Sequence, residues 1–405
     1  MEFKLPIKKD ISILALGAES AGNFSAYIKG KIYFSEDFGD LLDDKNWHTF
    51  QKEVLLYLRN NHIIPEIILA DLHPLFKTTS WSKTLSKKYK AQHIFVQHHI
   101  AHIFSSIGDK IIQDTKYKIP DTIYGIACDG TGYGLDGNIW GGEIFKVESI
   151  KYKVESIKRI SHLENQILIG GDLAIKEPAR MLISILDKVF SSPSTSPLGR
   201  GRPVLRAGEG TNVKQRKKLI YSFAKKYYTQ NQFELLYNQL EQNFNCQNSS
   251  STGRILDAVS LLLGFCKNER KYKHEPIDLL EKNSTIPYDC LIPKIVSTAN
   301  LDIECPSYIL DTTYLFKYLI KNIHKDKKRL AATAQIYIAE GLYEILLKGQ
   351  RTMNNEQQTF FAGGIANNKI ISSYLESKNI YTSKKVPRGD TGISIGQIIY
   401  YLLLE

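Results

Sequence analysis

Val96-Gln97-His98-His99-Ile100-Ala101-His102-Ile103 contains three of the ten histidines of the chain. The apolar run Ile94–Val96 before them predicts the end of a buried strand, and Ile103–Ile107 after them suits one face of a helix. If a helix begins here, His98 and His102 stand at positions i and i+4, on the same face. This spacing lets two imidazoles share one metal ion.

The type of metal follows from the ligands. Neutral imidazoles suit Zn²⁺ or Fe²⁺, and a carboxylate from elsewhere in the chain would complete the set. The alternative is a pair of capping or surface histidines with no metal. His99 lies on a different face of the predicted helix, and we expect it to support the pair rather than to bind.

Length and composition point to a globular protein. The chain has 405 residues, which favours two lobes, and 43% of them are hydrophobic. No apolar run approaches the ~20 residues of a membrane span, and the N-terminus shows no signal-peptide pattern. The five cysteines form no CxxC pair, as expected of reduced structural thiols. We therefore expect a cytoplasmic protein without a membrane partner.

The net charge of +11 allows two interpretations. One is an anionic partner such as a nucleotide, a tRNA or an acidic protein. The other is a lysine-rich composition spread over solvated faces. The lysines are scattered, and aromatic residues do not alternate with them as in a nucleic-acid groove, so we favour the second interpretation.

The chain shows a repeated order of elements. Residues 1–115 predict a β-hairpin followed by alternating helices and strands, and a second strand-opened half begins near Thr122. This order predicts a duplicated α/β fold with a ligand cleft between the lobes 1–115 and 116–405. The stretch of about 173–283 is mainly helical and looks inserted. Within it, Ser191–Lys218 is rich in Ser, Pro, Gly, Arg and Lys and predicts a mobile loop.

Asp129-Gly130-Thr131-Gly132-Tyr133-Gly134 follows a predicted buried strand directly. The glycines Gly130, Gly132 and Gly134 would let the backbone approach a phosphate, and their N–H groups could form an anion-binding nest. An ordinary hairpin turn explains the same pattern. Asp129, at the predicted strand end, is placed to hold a metal or a metal-bound water.

Two further stretches combine glycines with polar side chains. Phe361–Asn368 predicts a strand, the pair Gly363-Gly364 and a helix start that includes Asn367, which suits nucleotide contact or a plain strand–turn–helix junction. Asp390 precedes the final predicted helix. It could face the cleft as a carboxylate or cap that helix, and the residues alone favour the cap.

Gly170–Pro178 places charged groups at a predicted helix start. The carboxylate of Asp172 could accept hydrogen bonds from ribose hydroxyls, with Lys176 nearby. A helix cap with surface charges explains this stretch equally well and is favoured by the residues alone.

The order of these motifs resembles the Kae-like carbamoyltransferase half of HypF, the [NiFe]-hydrogenase maturation protein. The matching pieces cover nearly the whole chain and run in family order. They are Ala15–Glu19, Asp71–Pro74, Val96–His99 with Ala101-His102, Asp129-Gly130 with Gly132–Gly134, Trp140–Glu143, Gly170–Asp172, Lys176–Pro178 with Arg180-Met181, Gly253-Arg254 with Asp257–Val259, Gly363-Gly364 with Asn367, and Asp390 with Gly392, Gly396 and Gln397.

The resemblance implies an ASKHA-type fold, related to actin and hexokinase, with ATP or carbamoyl-adenylate in the cleft. It implies that His98, His102 and Asp390 bind a divalent metal, Fe or Zn with Mg as the alternative, with Asp129 at the same site. These four residues are then the expected catalytic set. It further implies nucleotide contacts by the segments predicted above: Gly130, Gly132, Gly134, Asp172, Lys176, Gly363, Gly364 and Asn367.

The chain also departs from the family pattern. HypF proteins carry acylphosphatase-like, zinc-finger-like and YrdC-like domains before this half, and here Met1 stands ten residues before the first predicted strand. The resemblance assigns synthesis of carbamoyl-adenylate to the YrdC-like domain. We therefore expect a separate YrdC-like or acylphosphatase-like partner protein. The usual triple histidine is His98-His99-Ile100 here, a change outside the i, i+4 pair.

The leading hypothesis is transfer of a carbamoyl group from carbamoyl-adenylate to the C-terminal cysteine of a HypE-like partner, as the resemblance implies. Three alternatives remain. The first is a tRNA threonylcarbamoyltransferase-like enzyme, which the charge favours and the motifs Asp71–Pro74 and Gly171–Pro178 disfavour, so that tRNA is not the expected partner. The others are an O-carbamoyltransferase for a small molecule and a non-catalytic nucleotide-binding subunit.

Overall fold

A computed structural model describes residues 1–150, 153–191, 213–298, 308–350 and 357–405. Most of the predicted loop Ser191–Lys218 and the cysteine Cys305 lie outside these residues. The end of that stretch is not a loop, because a helix begins at Val213.

The structure contains more strands than the sequence pattern predicts. Unpredicted strands are present at the N-terminus and after the second hairpin. In chain order the strands are β1 (Glu2–Lys4), β2 (Ser12–Ala15), β3 (Ser25–Ile28), β4 (Lys31–Phe34), β5 (Ile67–Asp71), β6 (Gln92–Val96), β7 (Thr122–Tyr133), β8 (Ile139–Ile150), β9 (Lys153–Leu163), β10 (Gln166–Ile169), β11 (Cys246–Ser249), β12 (Ile295–Ser297), β13 (Tyr308–Leu310), β14 (Gln357–Ala362) and β15 (Tyr381–Thr382).

The helices alternate with these strands, and two 3₁₀ turns, Gly364–Asn367 and Asp390–Gly392, lie near the C-terminus. In chain order the helices are α1 (Asp44–Asn60), α2 (Lys77–Tyr89), α3 (His98–Gln113), α4 (Leu173–Lys176), α5 (Pro178–Ser191), α6 (Val213–Ala224), α7 (Gln230–Glu241), α8 (Thr252–Leu263), α9 (Glu275–Lys282), α10 (Thr312–Lys321), α11 (Lys327–Gln350), α12 (Lys369–Ser377) and α13 (Ile393–Leu404).

The chain divides into two compact units. The first comprises the described residues of Met1–His162, Thr298–Tyr308 and Leu342–Glu405, and the second those of Leu163–Ser297 and Ile309–Gly341. The predicted lobes 1–115 and 116–405 and the insertion at about 173–283 follow a different division of the chain and stay predictions.

The first unit contains two sheets. One has the order β1-β4-β3-β2-β5-β6, in which β2, β5 and β6 are parallel. Alternate residues of β2 and Leu16, which directly follows it, belong to two different apolar clusters: Ile13 and Ala15 to one, and Leu14 and Leu16 to the other. This two-sided burial explains why β2 and β5 are continuous apolar runs. The other sheet runs β9-β8-β7-β14-β15, with β14 parallel to β7 and β15.

Helices α3 and α13 pack closely in the first unit. A Cβ at Gly396 would lie 1.9 Å from the carbonyl oxygen of Ala101, and one at Gly108 would lie 2.7 Å from Ile399. Only glycine permits this approach. Because α3 carries the histidines and α13 follows Asp390, this packing brings two predicted site segments together.

The second unit is mainly helical among its described residues. It contains α4–α10, and its strands β10 and β11 pair antiparallel. The long helix α11 is apolar and long enough over Lys327–Gly349 to span a membrane by composition alone. However, 72% of its most apolar window is buried inside the protein, as in a core helix.

Candidate metal centre

Helix α3 begins at His98 because Gln97 caps it. The Gln97 side-chain oxygen accepts hydrogen bonds from the backbone N–H groups of His99 (2.7 Å) and Ile100 (3.0 Å). These two groups would otherwise lack partners at a helix N-terminus. The helix then places His98 and His102 one turn apart, with ring centroids separated by 4.8 Å. Both side chains are buried.

Asp129 lies on β7, where the pairing with β8 shifts between Cys128 and Gly132. Its Oδ1 accepts a hydrogen bond from the backbone N–H of Gly364 at 3.2 Å, which leaves Oδ2 facing the histidines. A Cβ at Gly364 would lie 2.7 Å from this Oδ1. Glycine at position 364 therefore makes room for the carboxylate.

Asp390 reaches the same place from the 3₁₀ turn Asp390–Gly392, immediately before α13. Its Oδ2 accepts a hydrogen bond from the Ser20 hydroxyl, and its Oδ1 faces the histidines. The cap positions before the turn and before α13 are Gly389 and Gly392, so Asp390 is not the cap residue of either. The helix-cap interpretation, which the residues alone favoured, is therefore wrong.

Four side chains meet at one point in the first unit. Nε2 of His98 lies 3.2 Å from Asp129 Oδ2 and 3.6 Å from Asp390 Oδ1. Nε2 of His102 lies 3.6 Å and 3.4 Å from the same two atoms. The four possible ligand atoms all lie within 4.8 Å of one another. Two imidazoles and two carboxylates at this separation form a donor set that a divalent cation can bind.

The buried polar atoms fit such an ion. Neither ring nitrogen of His102 has a hydrogen-bond partner among the described residues, although the side chain is fully buried. A buried polar atom without a partner costs free energy, and a metal ion at Nε2 would satisfy one of the two nitrogens.

Asp71 holds the His98 ring from the other side. Its Oδ2 lies 2.7 Å from Nδ1 of His98, and its Oδ1 accepts a hydrogen bond from the backbone N–H of His73 at 2.9 Å. A carboxylate at one ring nitrogen leaves the other directed at the site, an arrangement common in metal centres. Burial favours neutral imidazoles, but the carboxylates outweigh it: Asp71, Asp129 and Asp390 raise the pKa of His98 well above its usual value, and Asp129 and Asp390 raise that of His102.

The carboxylate of Asp129 responds in the opposite direction. Burial and the neighbouring Asp390 oppose its ionisation, but the nearby imidazoles of His102 and His98 outweigh them and lower the pKa of Asp129. The two histidines and Asp129 are therefore buried groups with strongly shifted pKa values, which are typical of functional sites.

His99 does not belong to this group. It packs against Gly132, where a Cβ would lie 2.4 Å from the His99 ring, and its Nδ1 lies 3.1 Å from the Gln97 amide nitrogen. Burial and the neighbouring His98 hold the pKa of His99 well below its usual value, so the ring is neutral. The role of His99 as support stays a prediction.

The predicted nucleotide-binding residues are distributed over both units. Gly130 and Gly132 lie within β7, which continues to Tyr133, so the expected glycine loop is mostly strand and only Gly134 belongs to a turn. Gly363 donates its N–H to the carbonyl of Arg388, close to Asp390. Gly364 contacts Asp129, and exposed Asn367 ends the first 3₁₀ turn. Asp172 and Lys176 are exposed in the second unit.

Sequence reasoning missed three residues that hold the centre: Asp71, Ser20 and Gln97. Asp71 offered a usable signal, because it ends a strand whose five residues are all buried. Asp129 likewise follows a run of buried residues in β7. Ser20 and Gln97 offered none, since their partners are distant in sequence or depend on where the helix begins.

Comparisons with known proteins identify the family of the chain. The model of the HypF Kae1-like domain matches residues 8–109, and the model described as "Carbamoyltransferase, Kae1-like Domain, second subdomain" matches residues 125–397. The probable carbamoyltransferase HypF of Methanocaldococcus jannaschii is 34% identical over 99% of this chain and 47% of its own length. A carbamoyltransferase HypF homolog of Cupriavidus necator is 26% identical over 95% of this chain and 90% of its own length.

Solved structures give the same result for the fold. HypF of T. kodakarensis superposes with a TM-score of 0.81 at 25% identity, covering 100% of this chain and 49% of that one. A full-length HypF in the phosphate- and nucleotide-bound form gives 0.79 at 24% identity, covering 99% and 47%. The predicted mixed α/β fold of the ASKHA type is confirmed.

Fold and site thus define a Kae1-like α/β domain with a buried His–Asp centre. The chain belongs to the HypF carbamoyltransferase family, as its C-terminal Kae1-like part. It spans about half the length of the Methanocaldococcus jannaschii relative.

Proposed function

We propose that this chain transfers a carbamoyl group from carbamoyl-adenylate to the thiol of a C-terminal cysteine on a HypE-like acceptor protein, in the synthesis of the cyanide ligand of [NiFe]-hydrogenase. The observation that carries the proposal is the convergence of His98, His102, Asp129 and Asp390 in a chain of the HypF family. The proposed catalytic residues are these four.

The same four side chains would hold the divalent metal, with Zn²⁺ or Fe²⁺ favoured over Mg²⁺ because two ligands are imidazoles. A bound metal would supply Lewis acidity at the phosphate or carbamoyl oxygen of the donor. Asp71 keeps the His98 ring in the orientation that directs Nε2 at the site, and the Gly364 N–H fixes the rotation of the Asp129 carboxylate. The contact of Asp71 with His98 and the hydrogen bond from Gly364 to Asp129 therefore preorganise the ligand set.

The nucleotide part of the donor would lie against the proposed nucleotide-binding segments. Gly364 contacts Asp129, and Gly363 contacts Arg388. The Asn367 side-chain amide would lie 3.7 Å from a Cβ at Gly389, so a nucleotide at these residues would be close to the centre. Gly130, Gly132 and Gly134 are proposed to give further contacts along β7. The nucleotide contacts of Asp172 and Lys176, which belong to the second unit, stay predictions. Backbone N–H groups at such positions stabilise charge on a leaving phosphate.

The transfer itself exchanges one bond for another. The acceptor thiolate attacks the carbamoyl carbon, an S–C bond forms, the C–O bond to the phosphate breaks, and AMP leaves with the electron pair. The product is a thiocarboxamide on the acceptor. Three cysteines of this chain are poor acceptors: Cys128 is fully buried, and burial raises the pKa of Cys266 to about 11 and also raises that of Cys246. Thiolates, not thiols, are the nucleophiles, which supports an acceptor on a partner.

The donor must come from another protein or domain, because this chain matches only the carbamoyltransferase half of the family. We propose a YrdC-like protein or domain as the source of carbamoyl-adenylate, with an acylphosphatase-like activity that hydrolyses carbamoyl phosphate before it. The cytoplasm is the expected location for all of these steps.

The test supplies carbamoyl-adenylate, either synthetic or from a YrdC-like protein, together with a HypE-type acceptor, a bulk tRNA preparation or no macromolecule. Mass spectrometry should detect a 43-Da carbamoyl addition on the acceptor cysteine, as its formula requires, and none on an acceptor with Ser in place of that cysteine. A parallel reaction supplies threonylcarbamoyl-adenylate with the tRNA, and modification of tRNA in that reaction alone would support the threonylcarbamoyltransferase-like alternative. AMP release without a modified acceptor would contradict the proposed acceptor, and nucleotide binding without any AMP release would support a non-catalytic subunit.

A further inference from the structure

The face of α3 that carries the two histidines continues to a third charged residue. Asp109 follows His102 by seven residues, which places it on the same side of the helix two turns further along. Its side chain is fully buried. No sequence motif predicts a buried carboxylate here, and the proposed reaction does not use one.

Five donors surround the Asp109 carboxylate. The backbone N–H groups of Lys385 and Val386 each donate to Oδ1 at 2.7 Å. The N–H of Lys384 (2.9 Å), the hydroxyl of Tyr381 (2.6 Å) and the side-chain amide of Gln113 (2.5 Å) donate to Oδ2. Three consecutive backbone N–H groups on one carboxylate fix the path of the chain there more tightly than one hydrogen bond could.

This segment leads directly to Asp390, four residues after Val386. The chain also contacts α3 on both sides of this stretch: the Ser106 and Ser383 hydroxyls lie 2.9 Å apart before it, and a Cβ at Gly392 after it would lie 2.7 Å from the Ser105 hydroxyl. Asp109, Ser106 and Ser105 lie on α3 at decreasing distance from His102, and each of them contacts the stretch of chain around residues 381–392. The same helix fixes two proposed ligands directly and the segment that carries a third.

We propose that Asp109 is a positioning residue for the centre: it ties the 384–386 segment to α3 and so sets the place of Asp390 relative to His98 and His102. This inference rests on the proposed metal centre and deepens it. A carboxylate is required because it presents only acceptors to the three N–H groups. An amide in its place would direct two N–H donors at some of these same groups and push the segment away.

A purely structural role predicts something different. In that case a substitution of Asp109 would lower the stability of the fold but leave the arrangement of the metal ligands unchanged. A carboxylate with more than one donor, far from the ligands in sequence, serves for comparison. Asp187 is such a carboxylate, because it accepts hydrogen bonds from Tyr237 (2.6 Å) and pairs with Arg216 (2.9 Å) in the second unit. Asp187→Asn is therefore the matched control for loss of a carboxylate anchor.

The test measures Co²⁺ binding to the full chain by its visible absorption, which reports both affinity and ligand geometry. We expect Asp109→Asn to weaken Co²⁺ binding about 10- to 100-fold, the range for residues that orient metal ligands, and to shift the spectrum towards that of Asp390→Ala. In an Asp390→Ala background, Asp109→Asn should cause no further loss, because the ligand it positions is already absent. Asp187→Asn should leave affinity and spectrum unchanged.

The outcomes separate the two proposals. A wild-type affinity and spectrum in Asp109→Asn, or an equal further loss in the Asp390→Ala background, would overturn the positioning role while the metal centre stands. A wild-type chain that binds no Co²⁺ would overturn both. If Asp109→Asn does not fold, Tyr381→Phe removes a single donor to the carboxylate, and it should weaken binding in the same direction; unchanged binding in that variant overturns the inference.

Discussion

The Nδ1 atom of His98 lies 2.7 Å from Oδ2 of Asp71, at the carboxyl end of the neighbouring strand β5. Strands β5 and β6 are parallel, and residue Asp71 pairs with Val96, two residues before His98. The parallel register therefore brings the end of one strand to the start of the helix that follows the next. This relationship directs the other nitrogen of His98 at Asp129 and Asp390, and it is the first feature to test.

Asp71→Asn should weaken metal binding while the fold persists. The amide is similar in size, but it removes the negative charge that orients His98 and increases the basicity of its ring. We expect a loss of about 10- to 100-fold in affinity for Zn²⁺ or Co²⁺, measured by competition with a chromophoric chelator. Asp10→Asn, at an exposed salt bridge with Lys29, is the control and should bind as the wild type does. Equal affinities in all three chains would remove Asp71 from the centre.

Metal should stabilise the folded chain through His102. An ion present at 100 times its Kd contributes about 2.7 kcal/mol to the free energy of unfolding if only the folded state binds it. We expect the thermal unfolding temperature of the wild type to rise on addition of Zn²⁺ or Co²⁺ and to fall again with a chelator. His102→Ala should lose most of this response, whereas His48→Ala, an exposed histidine on α1, should keep it. A full response in His102→Ala would contradict the assignment of the ligand.

Gly396→Ala should destabilise the first unit. Its new methyl group would lie 1.9 Å from the backbone carbonyl of Ala101, which cannot move without shifting α3. Overpacking of this kind costs about 1–3 kcal/mol or more, visible in chemical denaturation. Gly349→Ala is the matched control on a helix, because its nearest neighbours are side-chain atoms at 3.8 and 3.9 Å. That variant should be as stable as the wild type or slightly more so, since alanine is the better helix former. The reverse order of stabilities would show that α3 and α13 do not pack this closely.

Thiol reactivity should follow burial. Because burial raises the pKa of Cys266 to about 11, this thiol is protonated at pH 8 and should not react with iodoacetamide in the native chain. Its labelling should begin only as the pH approaches 11 or when the chain unfolds. Exposed Cys290 should be labelled at pH 8. Peptide mass spectrometry of native and denatured samples distinguishes these sites, and rapid native labelling of half-buried Cys266 at pH 8 would contradict its raised pKa.

The sequence predicted the parts of the site that depend on local spacing. His98 and His102 follow from the i, i+4 pattern of one helix, and the fold follows from the order of strands, helices and glycine motifs. The hairpin β3–β4 around Lys29-Gly30 is confirmed, because its turn and its alternation of residues are local signals.

What the sequence could not predict depends on long-range geometry. The position of Asp390 next to His102 requires the close packing of α13 on α3, which a glycine at 396 permits but does not reveal. Asp71 meets His98 only through the parallel register of β5 and β6. The segment Asp129–Tyr133 continues β7 because β8 pairs with it on the far side of an irregularity, and this partner outweighs the turn preference of its glycines. Asp109 was missed because its donors lie more than 270 residues away, apart from Gln113.

The central claim is that the His–Asp centre performs carbamoyl transfer. A single-turnover reaction with metal-loaded enzyme, synthetic carbamoyl-adenylate and a HypE-type acceptor measures the rate of thiocarboxamide formation. We predict a rate at least about 100-fold lower in His102→Ala than in the wild type, consistent with loss of a group that stabilises charge in the transition state, and an unchanged rate in His48→Ala. Equal rates in the wild type and His102→Ala would contradict the account.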